Sequence, residues 1–278
     1  MYLFDAATGV QLDKLLPDDG AQGDEFGFSV AIDNGVVAVG AVWDDTVHGI
    51  DTGSAYLFDA ATGNQIVKLI AEDSSPLDRF GASIAISAGN VAVGAMWNDD
   101  RGDSSGSVYI FEASTGDLQY KVLPSDNGVT NWLGFSVAMD NDIVVMGAPR
   151  DDDNGESSGS AYMFEVSTGD PIAKLLPTDG GMNELFGQSV AIKDGVAAVA
   201  AMGGDLNGIL SGAAYLFNTT ASPCPADLTG DGELNFFDVS AFLLAFGSGD
   251  PAADFTGDGE FNFFDVSAFL AAFSKGCP

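Results

Sequence analysis

One feature limits the possible folds more than any other, and it is an internal repeat. Phe4, Phe58, Phe111, Phe164 and Phe217 each close a short apolar segment, and successive phenylalanines stand 54, 53, 53 and 53 residues apart. A unit that recurs at a fixed interval cannot bury its apolar face alone, so neighbours must stack and share a core. The order inside each unit is constant. A Thr-Gly turn follows the phenylalanine, then a short segment with a lysine (Lys14, Lys68, Lys121, Lys174) and a polar loop. Next comes "FGFSVAI", "FGASIAI", "LGFSVAM" or "FGQSVAI", a tight turn, and "VVAVGA", "VAVGA", "IVVMGA" or "VAAVAA". These runs are short, rich in Val and Ile and bounded by turn residues, which reads as buried strands rather than helices. Asn34-Gly35 and Asp194-Gly195 suit hairpin turns that need positive φ. The small endings Gly40-Ala41, Gly94-Ala95 and Gly147-Ala148 fit strands packed closely around an axis. Strands grouped in this way make blades, and radially arranged blades make a β-propeller.

The pattern "FGFSVAI…VVAVGA" resembles the FG-GAP repeat of integrin α-subunit propellers and of many secreted bacterial proteins. The resemblance implies a mainly β fold of about four blades over residues 1–218, in an extracellular or cell-surface setting. Calcium-binding members of that family carry a D-x-D-x-D-G loop between the FG and GA strands. Here the link is only "DNG", "SAGN", "DND" or "KDG", too short for a cage. Acidity collects instead after the GA strand. Asp45, Asp99, Asp152 and Asp205 share one register there, and Asp19, Asp73, Asp126 and Asp179 share another in the preceding loop. A recurring aspartate can accept backbone N–H groups in an Asx turn. In the most acidic loop, Asp151, Asp152, Asp153 and Glu156 are also a candidate weaker metal site. The lysine column reads as stems packed along a strand with solvated tips. Arg101-Gly102-Asp103 follows largely from register, since Gly102 aligns with Gly155 and Asp103 with Glu156.

The ends of the blade series do not balance. The chain opens with strands near Tyr2–Phe4 and Gln11–Leu16 and closes with strands near Ser189–Ile192, Val196–Ala200 and Ala214–Phe217. If four blades close, the strand at Gln11–Leu16 completes the last one and a Tyr-Leu-Phe strand is surplus. The surplus reads either as a sign of truncation or as an edge that pairs between subunits, giving a homo-oligomer or filament.

After a linker at 219–223 the pattern changes. "DLTGDGELNFFD" begins at Asp227 and returns 27 residues later as "DFTGDGEFNFFD". Oxygen-bearing groups fall at loop positions 1, 3, 5, 7, 9 and 12: Asp227, Thr229, Asp231, Glu233, Asn235 and Asp238, then Asp254, Thr256, Asp258, Glu260, Asn262 and Asp265. Calcium takes six to eight hard oxygens, and this EF-hand-like spacing winds them around one point, so two calcium ions are expected. Thr at position 3 and Asp at position 12 place the dissociation constants on the order of 0.1 to 1 mM. Cys224 and Cys277 bracket the doubled loop and suggest a disulfide in an oxidising compartment. Each loop runs into a short helix, with Val239, Phe242, Leu243 and Phe246, and again Val266, Phe269, Leu270 and Phe273, forming an apolar stripe.

Residues 224–278 resemble a dockerin, the paired loop-helix module that docks to cohesins on bacterial surfaces. Positions 10 and 11, which face the partner in dockerins, are Phe236-Phe237 and Phe263-Phe264. Stepping by helical offsets, Phe236 and Phe263 lean toward the core and Phe237 and Phe264 lie on the flank. The resemblance implies a protein partner, cohesin-like or self.

Composition narrows the function. Acidic residues number 41 against 9 basic ones, a formal net charge of −32. Such a surface repels nucleic acid and anionic lipid, and no apolar run is long enough for membrane insertion. The single histidine, His48, has no counterpart in the other units, and the carboxylates recur by repeat rather than gathering at one site. The expected function is a non-catalytic extracellular binding or scaffold protein tethered by a calcium-dependent docking module. A self-assembling structural protein and a fragment of a secreted polysaccharide-active enzyme are the alternatives.

Overall fold

A computed structural model of the chain describes residues 1–124, 130–204, 211–219, 226–228, 234–256 and 259–275. The chain divides into two compact units, Met1–Phe217 and Asn218–Pro278.

The first unit is built from antiparallel sheets that follow one another as propeller-like blades. β1 (Tyr2–Phe4) and β2 (Gln11–Lys14) pair as a two-stranded sheet. The first full blade runs β3 (Phe26–Asp33), β4 (Val36–Ala41), β5 (Ser54–Asp59) and β6 (Gln65–Leu69). The second runs β7 (Phe80–Ser87), β8 (Asn90–Ala95), β9 (Ser107–Glu112) and β10 (Leu118–Val122). The third runs β11 (Ser136–Asp140), β12 (Ile143–Ala148), β13 (Ser160–Glu165) and β14 (Pro171–Leu175). The last has three strands, β15 (Phe186–Lys193), β16 (Val196–Ala201) and β17 (Ala213–Asn218). The hairpins use the expected chemistry: Asn34 and Gly35 have φ of 46° and 81°, and Asp194 and Gly195 have 49° and 77°.

Blades stack first strand beside first strand, β3 on β7, β7 on β11 and β11 on β15. Large side chains of one blade fill space left by small ones of the blade before. Ile84 and Ile86, for example, pack with Ala31 and Ala38. Close approach is what the glycines permit. A Cβ added at Gly40, Gly94 or Gly147 would stand closer than 3.0 Å to the carbonyl oxygen of Gly81, Gly134 or Gly187 on the next blade. Each of those carbonyls also accepts a hydrogen bond from a serine hydroxyl of the preceding blade, Ser29 to Gly81 at 2.7 Å, Ser83 to Gly134 at 2.6 Å and Ser136 to Gly187 at 2.8 Å.

The series does not close. Phe28, Val30 and Ile32 of β3 are 52%, 50% and 59% exposed, whereas Ile84 and Ile86, their counterparts to Val30 and Ile32 inside the series, are 8% and 9% exposed. At the other end Ser189 and Ala191 of β15 are exposed. Nor does β2 complete the last blade. It is held by β1, and Leu15 just beyond it is buried with Val37, Val39, Tyr56 and Phe58, so the pair covers the first blade as two strands of a preceding one would.

In the second unit, α1 (Phe236–Ser248) and α2 (Phe263–Lys275) are joined through a 3-10 turn at Pro251–Ala253. Phe242 and Phe269 stack with ring centroids 4.1 Å apart and interplanar angle 4°, and Phe255 meets both edge-on. Val239, Phe246, Val266 and Phe273 pack around this pair. Leu243 and Leu270, expected in the apolar stripe, face outward at 60% and 52% exposure.

Candidate functional site

Both helices begin earlier than their apolar stripes imply, and capping is the reason. Asn235 has extended backbone, and its side chain accepts the N–H of Phe237 at 2.8 Å while Asp238 accepts the N–H of Asn235 at 2.9 Å. The second copy repeats the reciprocal pair, Asn262 with Phe264 at 2.8 Å and Asp265 with Asn262 at 2.8 Å. Two otherwise unpaired N–H groups are satisfied at each helix start. Loop positions 9 and 12 are thus locked by the helix itself, with Asp238 and Asp265 both fully buried. Positions 10 and 11 fall in the first turn, outside the core seam. Phe236, Phe237, Phe263 and Phe264 are 76%, 68%, 75% and 68% exposed, so Phe236 and Phe263 do not lean inward as the helical offsets suggest.

The second loop draws its oxygens together. The Gly259 N–H donates to Asp254 Oδ2 at 2.8 Å across the turn. Thr256 donates to Asp265 Oδ1 through both its N–H, at 3.1 Å, and its hydroxyl, at 2.9 Å. The same hydroxyl lies 3.4 Å from Asp254 Oδ1. The Asn262 N–H, offset by desolvation and reinforced by the Thr256 donors, holds the Asp265 carboxyl below the usual range. Asp254, Thr256 and Asp265 are thus tied to one another by hydrogen bonds, and their oxygens are of the hard type that could hold a calcium ion. In the first loop Asp227, Asn235 and Asp238 are described, while Thr229, Asp231 and Glu233 lie outside the described residues, as do Asp258, Cys224 and Cys277. Among the described residues no three His, Cys, Asp or Glu side chains gather at metal-binding distance.

In the three four-stranded blades the lysines of the column do not end in solvated tips, whereas Lys14 on β2 is exposed. Lys68 pairs with Asp19 at 2.6 Å and Asp44 at 2.7 Å and lies 5.2 Å from the centroid of Tyr56. Lys121 pairs with Asp73 at 2.9 Å and with Asp100, against Tyr109. Lys174 pairs with Asp151 at 3.0 Å and Asp153 at 2.6 Å, against Tyr162. These side chains are only 23%, 13% and 21% exposed. Burial works against the ionised forms of Asp19 and Asp73, but the lysine and tyrosine donors outweigh it and hold both carboxyls below the usual range.

The two aspartate registers separate by role. Asp45, Asp99 and Asp152 accept backbone N–H groups as expected, though across a wider loop than an Asx turn, from Asp51 at 2.8 Å, Ser104 at 2.7 Å and Ser157 at 2.7 Å. Asp19, Asp73 and Asp179 instead accept tyrosine hydroxyls, from Tyr56 at 2.9 Å, Tyr109 at 2.8 Å and Tyr215 at 2.9 Å. Asp126 and Asp205 lie outside the described residues. In the loop considered for metal, Asp151 is buried and accepts from Ser160 and Tyr162, both at 2.9 Å, Asp152 accepts the Ser157 N–H, and Glu156 is exposed. Lys174 is the cation that Asp151 and Asp153 face.

Sequence reading missed a second set of contacts. Arg79, 4% exposed, lies over the rings of Trp43 and Trp97, and Arg150 lies 4.2 Å from the centroid of Trp132. The available signal was columnar: Arg79 and Trp132 precede the FG segment of their units, while Trp43, Trp97 and Arg150 follow the GA segment. Cation and aromatic thus alternate between two columns, which meet within a blade at Arg79–Trp97 and Arg150–Trp132 and across blades at Arg79–Trp43.

No curated protein matches the chain. Among solved structures, the computationally designed Ika8 protein is similar at TM-score 0.48 and 17% identity, over 77% of this chain and 51% of that one. The computationally designed Ika4 protein is similar at TM-score 0.46 and 17% identity, over 74% of this chain and 98% of that one. The chain thus spans about half the length of the first and nearly all of the second. The FG-GAP repeat matches residues 10–58, 64–111, 117–164 and 171–217, each match holding one FG strand and one GA strand. Four such units in succession place most of the chain under one description, and it belongs to the FG-GAP repeat family.

Proposed function

We propose that this is a non-catalytic extracellular binding or scaffold protein whose blades display loops and whose C-terminal unit docks onto a protein partner with the help of two calcium ions. The observation that carries the reading is the outward pair of phenylalanines at the start of each helix, 68% to 76% exposed on a unit of which only four apolar side chains are fully buried among the described residues. Exposed aromatic rings of this kind are the residues that anchor protein interfaces. Each pair sits directly on the oxygen-lined loop, so cation binding organises the turn that presents it. FG-GAP repeats serve widely as interaction modules in extracellular proteins, which agrees with this role. The recurring aspartates that are described accept backbone N–H groups (Asp45, Asp99, Asp152) or tyrosine hydroxyls (Asp19, Asp73, Asp179), an arrangement suited to holding loops in place rather than to acid–base chemistry.

Titration calorimetry with calcium tests the reading on the full chain. Two ions per chain are expected, with dissociation constants on the order of 0.1 to 1 mM, and Asp227→Ala and Asp254→Ala each remove one. Absence of any calcium-dependent heat or of calcium-dependent protection from proteolysis beyond residue 218 refutes it. Turnover on a panel of polysaccharides would establish the enzyme alternative instead.

A further inference from the structure

We infer that the last blade is completed by a second copy of this chain, with β17 of one copy replacing β1 on β2 of the other. Three blades carry a fourth strand, β6, β10 or β14, on the outer edge of their third. β17 is a third strand with β16 on one side and no described strand on the other. Where β5, β9 and β13 are buried along nearly their whole length, β17 alternates, and Leu216 is 74% exposed.

The missing strand leaves a missing charge. Tyr215 donates to Asp179 as Tyr56 does to Asp19 and Tyr109 to Asp73, but among the described residues no lysine joins them. Lys14 occupies the lysine register on β2 and has no ion pair among the described residues; its ammonium lies 5.6 Å from the centroid of Tyr2. The pairing register is already set. β1 meets β2 with Tyr2 opposite Lys14, Leu3 opposite Asp13 and Phe4 opposite Gln11. β5 meets β6 in the same way, with Tyr56 opposite Lys68, Leu57 opposite Val67 and Phe58 opposite Gln65. β1 is Tyr-Leu-Phe, and so is Tyr215-Leu216-Phe217. β17 can therefore take the place of β1 residue for residue, Leu216 entering where Leu3 now packs beside Leu15.

The faces brought together also match. Phe28, Val30 and Ile32 are the large side chains of a blade junction and Ser189 and Ala191 the small ones, and Ser189 stands where Ser29, Ser83 and Ser136 donate to the next blade. The one feature that opposes the junction is Ala200, which holds the position of Gly40, Gly94 and Gly147. Its methyl group crowds the carbonyl of Gly27, so this junction is weaker than the three within a copy, and the association is reversible.

Sedimentation velocity of the full chain over a range of concentrations, in calcium and in EDTA, tests the inference. Concentration-dependent association in both buffers is expected. Ala200→Gly and deletion of residues 1–9 should tighten it, the first by relieving the contact and the second by removing the competing strand. Lys14→Asp should weaken it about ten-fold or more, since a partly buried charge loses its partner, and Lys14→Asp/Asp179→Lys should restore it. Leu216→Asp, at an exposed site, should weaken it without loss of the strand signal in circular dichroism. A monomer at every concentration, including with Ala200→Gly, overturns the inference. So does association that ignores these substitutions. Association that requires calcium and is lost in Phe237→Ala/Phe264→Ala assigns self-contact to the C-terminal unit and also overturns it, while leaving the docking reading intact.

Discussion

Gly94→Ala places a methyl group where β8 meets the following blade. Its Cβ would stand closer than 3.0 Å to both the Gly134 carbonyl oxygen and the Ser83 hydroxyl. Gly94 is not in the left-handed region, so alanine suits its backbone and stiffens the unfolded chain, a gain of about 0.4 to 1 kcal/mol. Against this stands overpacking between two strands, about 1 to 3 kcal/mol, because the nearest atom is backbone and cannot swing aside. Displacing the Ser83–Gly134 hydrogen bond costs about 0.5 to 1.5 kcal/mol more. The balance is a loss of about 2 kcal/mol, which for a unit of this size lowers Tm by about 4 to 8 °C. Trp43, Trp97 and Trp132 all lie in the blades, so tryptophan fluorescence during heating reports this unit alone. Gly23→Ala is the control for backbone strain by itself, since φ there is +109° and nothing lies within 4 Å of the added Cβ. A Gly94→Ala protein that melts within 1 °C of the parent would show that the blades do not need this close approach, and the packing argument would fail.

Phe269→Ala removes one ring of the stacked pair and should cost about 3 to 5 kcal/mol, unfolding the C-terminal unit by helical circular dichroism while tryptophan fluorescence of the blades is unchanged. Lys121→Met leaves Asp73 and Asp100 facing each other without a cation and should cost about 1.5 to 3 kcal/mol, read as a lower denaturant midpoint. Because Asp19 and Asp73 have depressed carboxyl pKa values, their contribution is fully present above the ordinary aspartate pKa of about 3.9 and is lost as pH falls through the lower folded values; Asp19→Asn/Asp73→Asn should therefore flatten the acid limb of a fluorescence titration. At the alkaline end, burial and then Asp179 push the Tyr215 hydroxyl up to about 12, so its contribution holds below about pH 10 and fades toward 12, a loss that Tyr215→Phe should remove.

Much of this protein is readable from local pattern. The recurring phenylalanines and FG and GA segments mark the blades because short Val- and Ile-rich runs bury as strands and each turn must be made by neighbours in sequence. Asn34-Gly35 is a hairpin wherever it occurs between such strands. The loop spacing from Asp254 to Asp265 is similarly self-contained, since its capping contacts reach no further than nine residues. Tertiary structure decided what depends on distant partners. Lys68 turns inward because Asp19 lies 49 residues away and Lys121 because Asp73 lies 48 away, so no local pattern distinguishes them from solvated tips. Arg79 is sandwiched by tryptophans from two blades, which only stacking brings together. Phe236 and Phe263 point outward because a cap moved the helix start past the core seam, whereas helical offsets alone place them toward it. The unclosed series has the same origin: strand period sets how a blade forms, but whether the last blade meets the first depends on the summed geometry of every junction between them.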